Sequence, residues 1–166
     1  MDSDILEDLY RKYYPSTLLY CLSLCRNEIL AQDFASEAFI KAYLSLPNDV
    51  PSFQYWLLRV CKNLWIDYLR KQSPLASDEC LQYATDSSTP EVRYLQNERS
   101  QILWEAIQAL SPIDRELVVL HYFSGLSLQA AARMLGKSYG ATRQRMVRLR
   151  NELKQRLEEQ GYGQEL

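Results

Sequence analysis

Glycine and proline are scarce in this chain of 166 residues, with 5 and 6 copies, and β-branched side chains are few. Apolar residues recur at helical rather than alternating spacing almost throughout, which predicts a nearly all-helical protein. No apolar run approaches the ~20 residues that a membrane-spanning helix needs. The first ten residues, MDSDILEDLY, lack the basic region and apolar stretch of a secretory signal. We therefore expect a cytoplasmic protein with no membrane insertion.

Residues that hold metals or perform catalysis are also few. The four cysteines, Cys21, Cys25, Cys61 and Cys80, contain no CxxC pair, and His121 is the single histidine. Cys21 and Cys25 could share a metal on one helix face, but His121 is remote in sequence, so buried thiols are the favoured interpretation. There is no glycine-rich phosphate loop and no nucleophile pattern around His121. We therefore expect no cofactor, no metal site and no enzymatic activity.

The charges are unevenly distributed along the chain, although the formal net charge is only −2. Residues 1–72 are near neutral and residues 73–100 are acidic. The basic excess lies in residues 137–156, where a single acid, Glu152, accompanies Lys137, Arg143, Arg145, Arg148, Arg150, Lys154 and Arg156. A local basic patch can bind nucleic acid even when the whole chain is weakly acidic.

The first 72 residues predict four helices. Pro15 with Ser16 is expected to end the first helix and begin the second, because proline suits the first helical turn. A third helix spans about Phe34 to Leu46, and a fourth begins at Phe53 after the loop LPNDVPS. The outward side of the fourth helix is predicted to carry Arg59, Lys62, Asn63, Arg70 and Lys71.

Helical periodicity lapses after residue 72. The segment SPLASDECLQYATDSSTP is rich in Ser, Thr and Asp and has two prolines, as is typical of a linker. Helices resume near Val92, and Ser111 with Pro112 opens a further helix that Gly125 stops. The sequence therefore predicts an all-α chain with two small helical domains, 1–72 and 91–160, joined by a flexible linker, 73–90.

Residues 126–157 have the form of a helix-turn-helix. Ser127 and Ser138 can cap its two helices, Ala132 allows a close helix crossing, and Gly136 permits a tight turn. In the second helix the spacing of four and three predicts one buried stripe, made by Thr142, Met146, Leu149, Leu153 and Leu157. The residues between them are mostly Arg and Gln, which suit entry into the major groove. A solvated amphipathic helix would give the same pattern, so DNA binding is not the only interpretation.

The segment ALSPIDRELVVLHYFSGLSLQAAARMLGKSYGATRQRMVRLRNELKQRL resembles region 4 of the extracytoplasmic-function (ECF) sigma factors, a group of the sigma-70 family. In the first half, YRKYYPSTLLYCLSL resembles regions 1.2 and 2.1, and AQDFASEAFIKAYLSL resembles region 2.2. FQYWLLRVCKNLWIDYLRK resembles regions 2.3 and 2.4. The resemblance covers about residues 5–72 and 91–157, in the order and spacing of the family.

This resemblance implies a fold and a function. The first domain would be a sigma region 2 helical bundle and the second a sigma region 4 helix-turn-helix. The chain would be a transcription initiation factor that binds core RNA polymerase and directs it to promoter DNA by recognising minus-10 and minus-35 elements. An anti-sigma factor is an implied further partner.

The resemblance also implies three groups of contact residues. Core polymerase would be bound by Asp33, Ser36, Glu37 and Ile40. The minus-10 element would be bound by Lys41, Asn48, Asp49, Arg59, Lys62 and Asn63. The minus-35 element would be bound by Lys137, Ser138, Tyr139, Arg143, Gln144, Arg145 and Arg148. Within the last group, Arg143 and Gln144 are best placed for base edges, and Lys137, Arg145 and Arg148 for phosphates.

Two other functions remain open from the sequence. A helix-turn-helix regulator with a sensory or dimerisation domain would bind promoter DNA without replacing a sigma subunit. A helical adaptor would use the basic helix to bind an acidic protein partner. DNA binding measured with and without core polymerase separates the three interpretations.

Overall fold

The computed structural model describes residues 3–45, 52–72 and 97–162. These ranges form no strand, one π-helical turn (Val119–Phe123) and seven helices: α1 (Ser3–Cys25), α2 (Glu28–Ser45), α3 (Phe53–Gln72), α4 (Glu98–Gln108), α5 (Pro112–Val118), α6 (Leu128–Leu135) and α7 (Tyr139–Glu159). The chain divides into two compact units, with α1–α3 in the first and α4–α7 in the second. This confirms the all-α class. The predicted linker, 73–90, and the predicted helix start at Val92 lie outside the described residues.

The first helix is longer than predicted. Pro15 lies inside α1 instead of beginning a new helix, so the expected break at Pro15 and Ser16 is wrong. Proline removes the backbone donor to the carbonyl four residues earlier, that of Arg11. Directly after the proline, two hydroxyls bond to the carbonyl of Tyr13, Ser16 Oγ at 3.2 Å and Thr17 Oγ1 at 2.6 Å. Packing beyond the proline favours continuation, because every residue from Thr17 to Cys25 is buried.

The turn from α1 to α2 is tight. Arg26 has a left-handed φ of 54°, and its backbone N–H donates to the carbonyl of Leu22 at 2.9 Å, which closes α1. Asn27 then caps α2, since its Oδ1 accepts from the backbone N–H of Leu30 at 3.0 Å. Consequently α2 begins at Glu28, well before the predicted start near Phe34.

The second half of α1 forms the core of the first unit, with α2 and α3 packed against it and against each other. Aromatic rings extend this core in α2 and α3. Trp65 is buried, stacks on Tyr68 with ring centroids 5.8 Å apart, and meets Phe34 edge-on at 6.3 Å. These contacts fix α2 and α3 relative to each other, and so fix the outward face of each.

In the second unit, α5 continues into the π-helical turn. Pro112 occupies the first turn of α5, as predicted. The backbone N–H of Ser124 donates to the carbonyl of Val119 at 3.0 Å, which is the wider π spacing. Gly125, with φ 72°, ends the segment. His121 Nδ1 donates to the carbonyl of Leu126 at 2.7 Å, so His121 is a structural residue of this turn.

The predicted helix-turn-helix is confirmed in its caps and turn. The Oγ of Ser127 accepts from the backbone N–H of Ala130 at 3.1 Å, and the Oγ of Ser138 accepts from that of Ala141 at 3.2 Å. Gly136 ends α6 with φ 66°, a conformation that other residues adopt at a cost. The predicted stripe of α7 is buried from Thr142 to Leu153, and Leu157 is half-buried.

Candidate functional site

An exposed apolar and acidic stripe runs along α2. Ile29, Asp33, Ser36 and Ile40 recur at helical spacing and are all exposed. Glu37 is exposed beside them. Exposed large apolar side chains flanked by carboxylates suit a protein interface with a basic partner. All four residues predicted to bind polymerase therefore lie on one accessible face, and Ile29 extends that face.

Lys41 is also exposed on α2, but it is not independent of Glu37. Its Nζ lies 3.8 Å from Glu37 Oε1 in an i,i+4 pair, and both side chains are about half exposed. Such surface pairs contribute little energy. Lys41 can therefore leave Glu37 for another anion with little loss.

The outward face of α3 carries Arg59 and Asn63, both exposed as predicted. Lys62 is only 3% exposed, so its predicted place on the outward side is wrong. It lies between Cys61, which is buried, and the exposed Asn63, where the apolar face and the polar face of the helix meet. Asn48 and Asp49, the two loop residues predicted to contact the minus-10 element, lie outside the described residues.

The first two turns of α7 present a polar surface. Tyr139, Arg143, Gln144 and Arg148 are exposed, together with Val147. The opposite face is held in the core, where buried Thr142 donates through Oγ1 to the carbonyl of Ser138 at 2.8 Å. This bond satisfies the hydroxyl inside the helix and explains how a polar residue fits the apolar stripe.

The turn before α7 and the start of α7 together form a basic concavity. It has a volume of about 270 Å³ and is lined by Leu135, Lys137, Ala141, Thr142, Gln144, Arg145 and Arg148. Three of these side chains are cationic, Lys137, Arg145 and Arg148, and the amide of Gln144 can donate hydrogen bonds. Such a surface fits the phosphates and base edges of a nucleic acid.

The basic residues of α7 differ in what they contact. Arg145 Nη1 donates to Asp114 Oδ1 of α5 at 2.6 Å. Arg150 Nε donates to the hydroxyl of Tyr122 at 2.7 Å. Further along, Lys154 pairs with Glu158 and Arg156 with Glu152. Of the seven basic residues from 137 to 156, only Lys137, Arg143 and Arg148 show no ion pair or hydrogen bond to the described residues.

Buried thiols form a small cluster in the first unit. Cys21, Cys25 and Cys61 are free and buried. Hydrogen bonding to Cys61, followed by burial, raises the pKa of Cys21 well above its ordinary value. Burial raises the pKa of Cys25 from 9.0 to about 11. Both thiols are therefore neutral and unreactive at physiological pH. Across the described ranges, no group of three or more His, Cys, Asp or Glu could hold a metal. None of the described helices is long and apolar enough to cross a membrane.

An apolar groove in the second unit has no counterpart in the sequence-based predictions. It has a volume of about 730 Å³ and is lined by Leu103, Ile107, Val118, Tyr122, Phe123, Arg150, Leu153, Lys154, Leu157 and Glu158. Its residues come from α4, α5, the π-helical turn and α7, so no single stretch of sequence displays it. Tyr122, one of the lining residues, is exposed although it is aromatic.

Comparison with known families accounts for most of the described chain. The Sigma-70 region 2 family matches residues 9–74, which include α3 and most of α1. The Sigma-70, region 4 family matches residues 100–153, which include most of the helix-turn-helix.

Several sigma factors are similar to this chain over most of its length. The ECF RNA polymerase sigma factor SigW of Bacillus subtilis is 31% identical over 169 residues, covering 94% of this chain and 90% of SigW. The RNA polymerase sigma factor CarQ of Myxococcus xanthus is 30% identical over 165 residues, covering 94% and 91%. The probable RNA polymerase sigma factor RfaY of Xanthomonas campestris is 35% identical over 149 residues, but these span only 37% of that longer protein.

A solved structure shares the fold. The sigma factor RpoE of Bartonella quintana, crystallised with the anti-sigma factor NepR, aligns with a TM-score of 0.68 at 22% identity. The alignment covers 92% of this chain and 96% of that one.

Proposed function

Because this chain belongs to the ECF sigma factors, transcription initiation factors that direct RNA polymerase to promoters, we propose that its three exposed faces divide that work. The stripe on α2 binds core polymerase, α3 contributes to the minus-10 element, and α7 reads the minus-35 element. The observation that carries this assignment is the surface of α7, where Arg143, Gln144 and Arg148 are exposed over a buried apolar stripe.

Binding of core polymerase by α2 is supported by the composition of its stripe. Asp33 and Glu37 offer charge to a basic partner, while Ile40 offers apolar area that is lost from water on binding. Reversing both charges with Asp33→Lys and Glu37→Lys should weaken binding to core polymerase without loss of helicity, because both side chains are exposed. Unchanged affinity in a pull-down would contradict the assignment.

Minus-10 recognition is assigned to Lys41, Arg59 and Asn63. Holding a base outside the stack costs a few kcal/mol, which hydrogen bonds and cations must offset. Asn63 has an amide that can pair with a base edge, and Arg59 is one helical turn away on the same face. The buried Lys62 is left out of this surface, since it would have to leave the core to reach DNA.

Minus-35 recognition is assigned to the start of α7. Residues near the N-terminus of a recognition helix enter the major groove first, which places Arg143 and Gln144 at base edges. Lys137 and Arg148 line the same concavity and suit flanking phosphates. Ser138 caps the helix, and Tyr139 is exposed at its first turn.

The proposal places the protein in the cytoplasm, with its polymerase and promoter. We also propose that it has an anti-sigma partner, which is supported by its fold likeness to a sigma factor crystallised with one. A regulator without sigma activity is not favoured, because such a protein would not require a Sigma-70 region 2 domain, and residues 9–74 match that family.

Transcription in vitro is the direct test. The purified chain, added to core RNA polymerase on its own upstream DNA, should give a discrete transcript that core enzyme alone does not give. A gel shift should show stable promoter binding only when core polymerase is present. Promoter binding by the chain alone, with no transcript, would instead support the helix-turn-helix regulator.

A further inference from the structure

The ion pair between Asp114 and Arg145, here called the latch, joins two elements that are far apart in sequence. Asp114 lies in the first turn of α5, and Arg145 lies in α7, 31 residues later. The side chains are only 20% and 32% exposed, and the two atoms are 2.6 Å apart. A partly shielded, charge-assisted bond of this kind is stronger than the exposed i,i+4 pairs elsewhere on α7.

We propose that the latch positions α7 for promoter recognition, with Asp114 and Arg145 as positioning residues, and that Arg145 is not a phosphate contact. This inference rests on the proposed role of α7 in reading DNA. It reverses the sequence-based prediction for Arg145. The carboxylate of Asp114 already accepts a hydrogen bond from Arg145 Nη1 and offsets its positive charge, which leaves Arg145 less charge to offer a phosphate.

The latch fixes the rotation of α7 about its own axis. Contacts of Met146 and Leu149 hold α7 against the core, and although the hydrophobic effect is non-directional, an ion pair at 2.6 Å specifies one orientation of the helix. A rotation of about 20° about the helix axis would move side-chain ends, roughly 6 Å from the axis, by about 2 Å. That displacement exceeds the range over which a hydrogen bond to a base edge keeps its geometry. Because Arg143 and Gln144 directly precede Arg145, fixing its rotation fixes theirs.

Two substitutions with the same chemistry separate positioning from phosphate binding. Arg145→Gln and Arg148→Gln each remove one positive charge from α7, three residues apart. A residue that binds phosphate contributes about 0.9 to the slope of log affinity against log salt. Arg148→Gln should therefore make the slope shallower by about 0.9 and leave sequence preference intact. Arg145→Gln should leave the slope unchanged and lower the ratio of preferred to non-specific affinity about tenfold, as one mismatched base pair does.

Changes at Asp114 test the same pair from the other side. Asp114→Asn keeps the shape of the side chain and should lower the ratio as much as Arg145→Gln does. The double variant should have the same ratio of preferred to non-specific affinity as either single variant, since both substitutions break the same interaction. Exchanging the charges with Asp114→Arg and Arg145→Asp should recover part of the lost ratio, which loss of a phosphate contact would not do.

The measurement uses the full chain reconstituted with core RNA polymerase. Binding is measured on duplexes selected from a randomised upstream library, between about 50 and 200 mM KCl. Circular dichroism confirms that each variant is folded, and Asp114→Asn remains informative if Arg145→Gln is not. If the unchanged protein shows no sequence preference, the proposed function fails. If it shows a preference but Arg145→Gln gives a shallower slope or an unchanged ratio, the latch is overturned and the proposed function stands.

Discussion

Ile40→Ala is the sharpest test of how this sigma factor meets core polymerase. Ile40 is 58% exposed at the C-terminal end of the α2 stripe, so more than half of its surface is available for burial by a partner. The substitution removes three carbons, worth about 0.8 kcal/mol each when fully buried. Scaled by the exposed share, the expected loss is about 1.4 kcal/mol, or about tenfold in the Kd for core polymerase.

Ile5→Ala is the matched control, because Ile5 is 54% exposed and belongs to α1, not to the α2 stripe. Both changes remove the same atoms, and alanine is the better helix former, so neither should unfold its helix. The assay is competition between labelled and unlabelled full-length chain for a fixed amount of core polymerase. Equal Kd values for the two variants would refute the reasoning, since loss at Ile40 alone is what an α2 interface requires.

Five further substitutions test other parts of the structure. Arg143→Ala should make the free energy of binding to the preferred promoter less favourable by about 1 to 3 kcal/mol and relax the preference at one or two base pairs. Arg148→Ala should instead weaken binding to all sequences alike. A uniform loss from both substitutions in a randomised library would reject base reading by Arg143. Ser138→Ala removes the cap of α7 and should lower the free energy of unfolding of the second unit by about 1 kcal/mol in urea titration, and no change would show that the cap is dispensable. Pro15→Ala should raise the unfolding free energy of the first unit by up to ~3 kcal/mol in the same urea titration, and a fall would contradict the view that packing alone carries α1 past the proline. Burial raises the pKa of Cys25 to about 11, so this thiol ionises at a lower pH in the unfolded chain than in the folded one. The contribution of the buried thiol to the unfolding free energy is complete below pH 9 and is lost as the pH rises towards 11. Cys25→Ala should remove that loss relative to the unchanged protein.

Local signals explain which parts of the fold were predictable. The caps at Ser127 and Ser138, the turn at Gly136 and the start of α5 at Pro112 each depend on residues within one helical turn, and all four are confirmed. The misplaced helix boundary at Pro15 depends on something else. Burial of the whole following segment favours one continuous helix, and that packing comes from α2 and α3, which no local pattern contains.

In the candidate site too, the residues whose position depends on local helical spacing were predictable. Helical spacing placed Asp33, Arg59 and Asn63 on exposed faces, because a 3.6-residue period fixes which residues share a side. Spacing alone does not show how far the core extends around a helix. Lys62, at the edge between the faces of α3, was therefore assigned to the wrong one.

The number of basic residues in and just before α7 is larger than the number available to bind DNA. Residues 137–156 contain seven basic side chains, and if all of them bound phosphate the salt slope would be about −6.3. Four of the seven have partners within their own domain, and breaking the shielded latch of Arg145 costs more than breaking an exposed pair. Of the remaining three, Lys137 and Arg148 are assigned to phosphates and Arg143 to a base edge, so the expected slope is about −1.8. A smaller electrostatic contribution leaves more of the discrimination between promoters to base contacts, and those contacts depend on how firmly α7 is held.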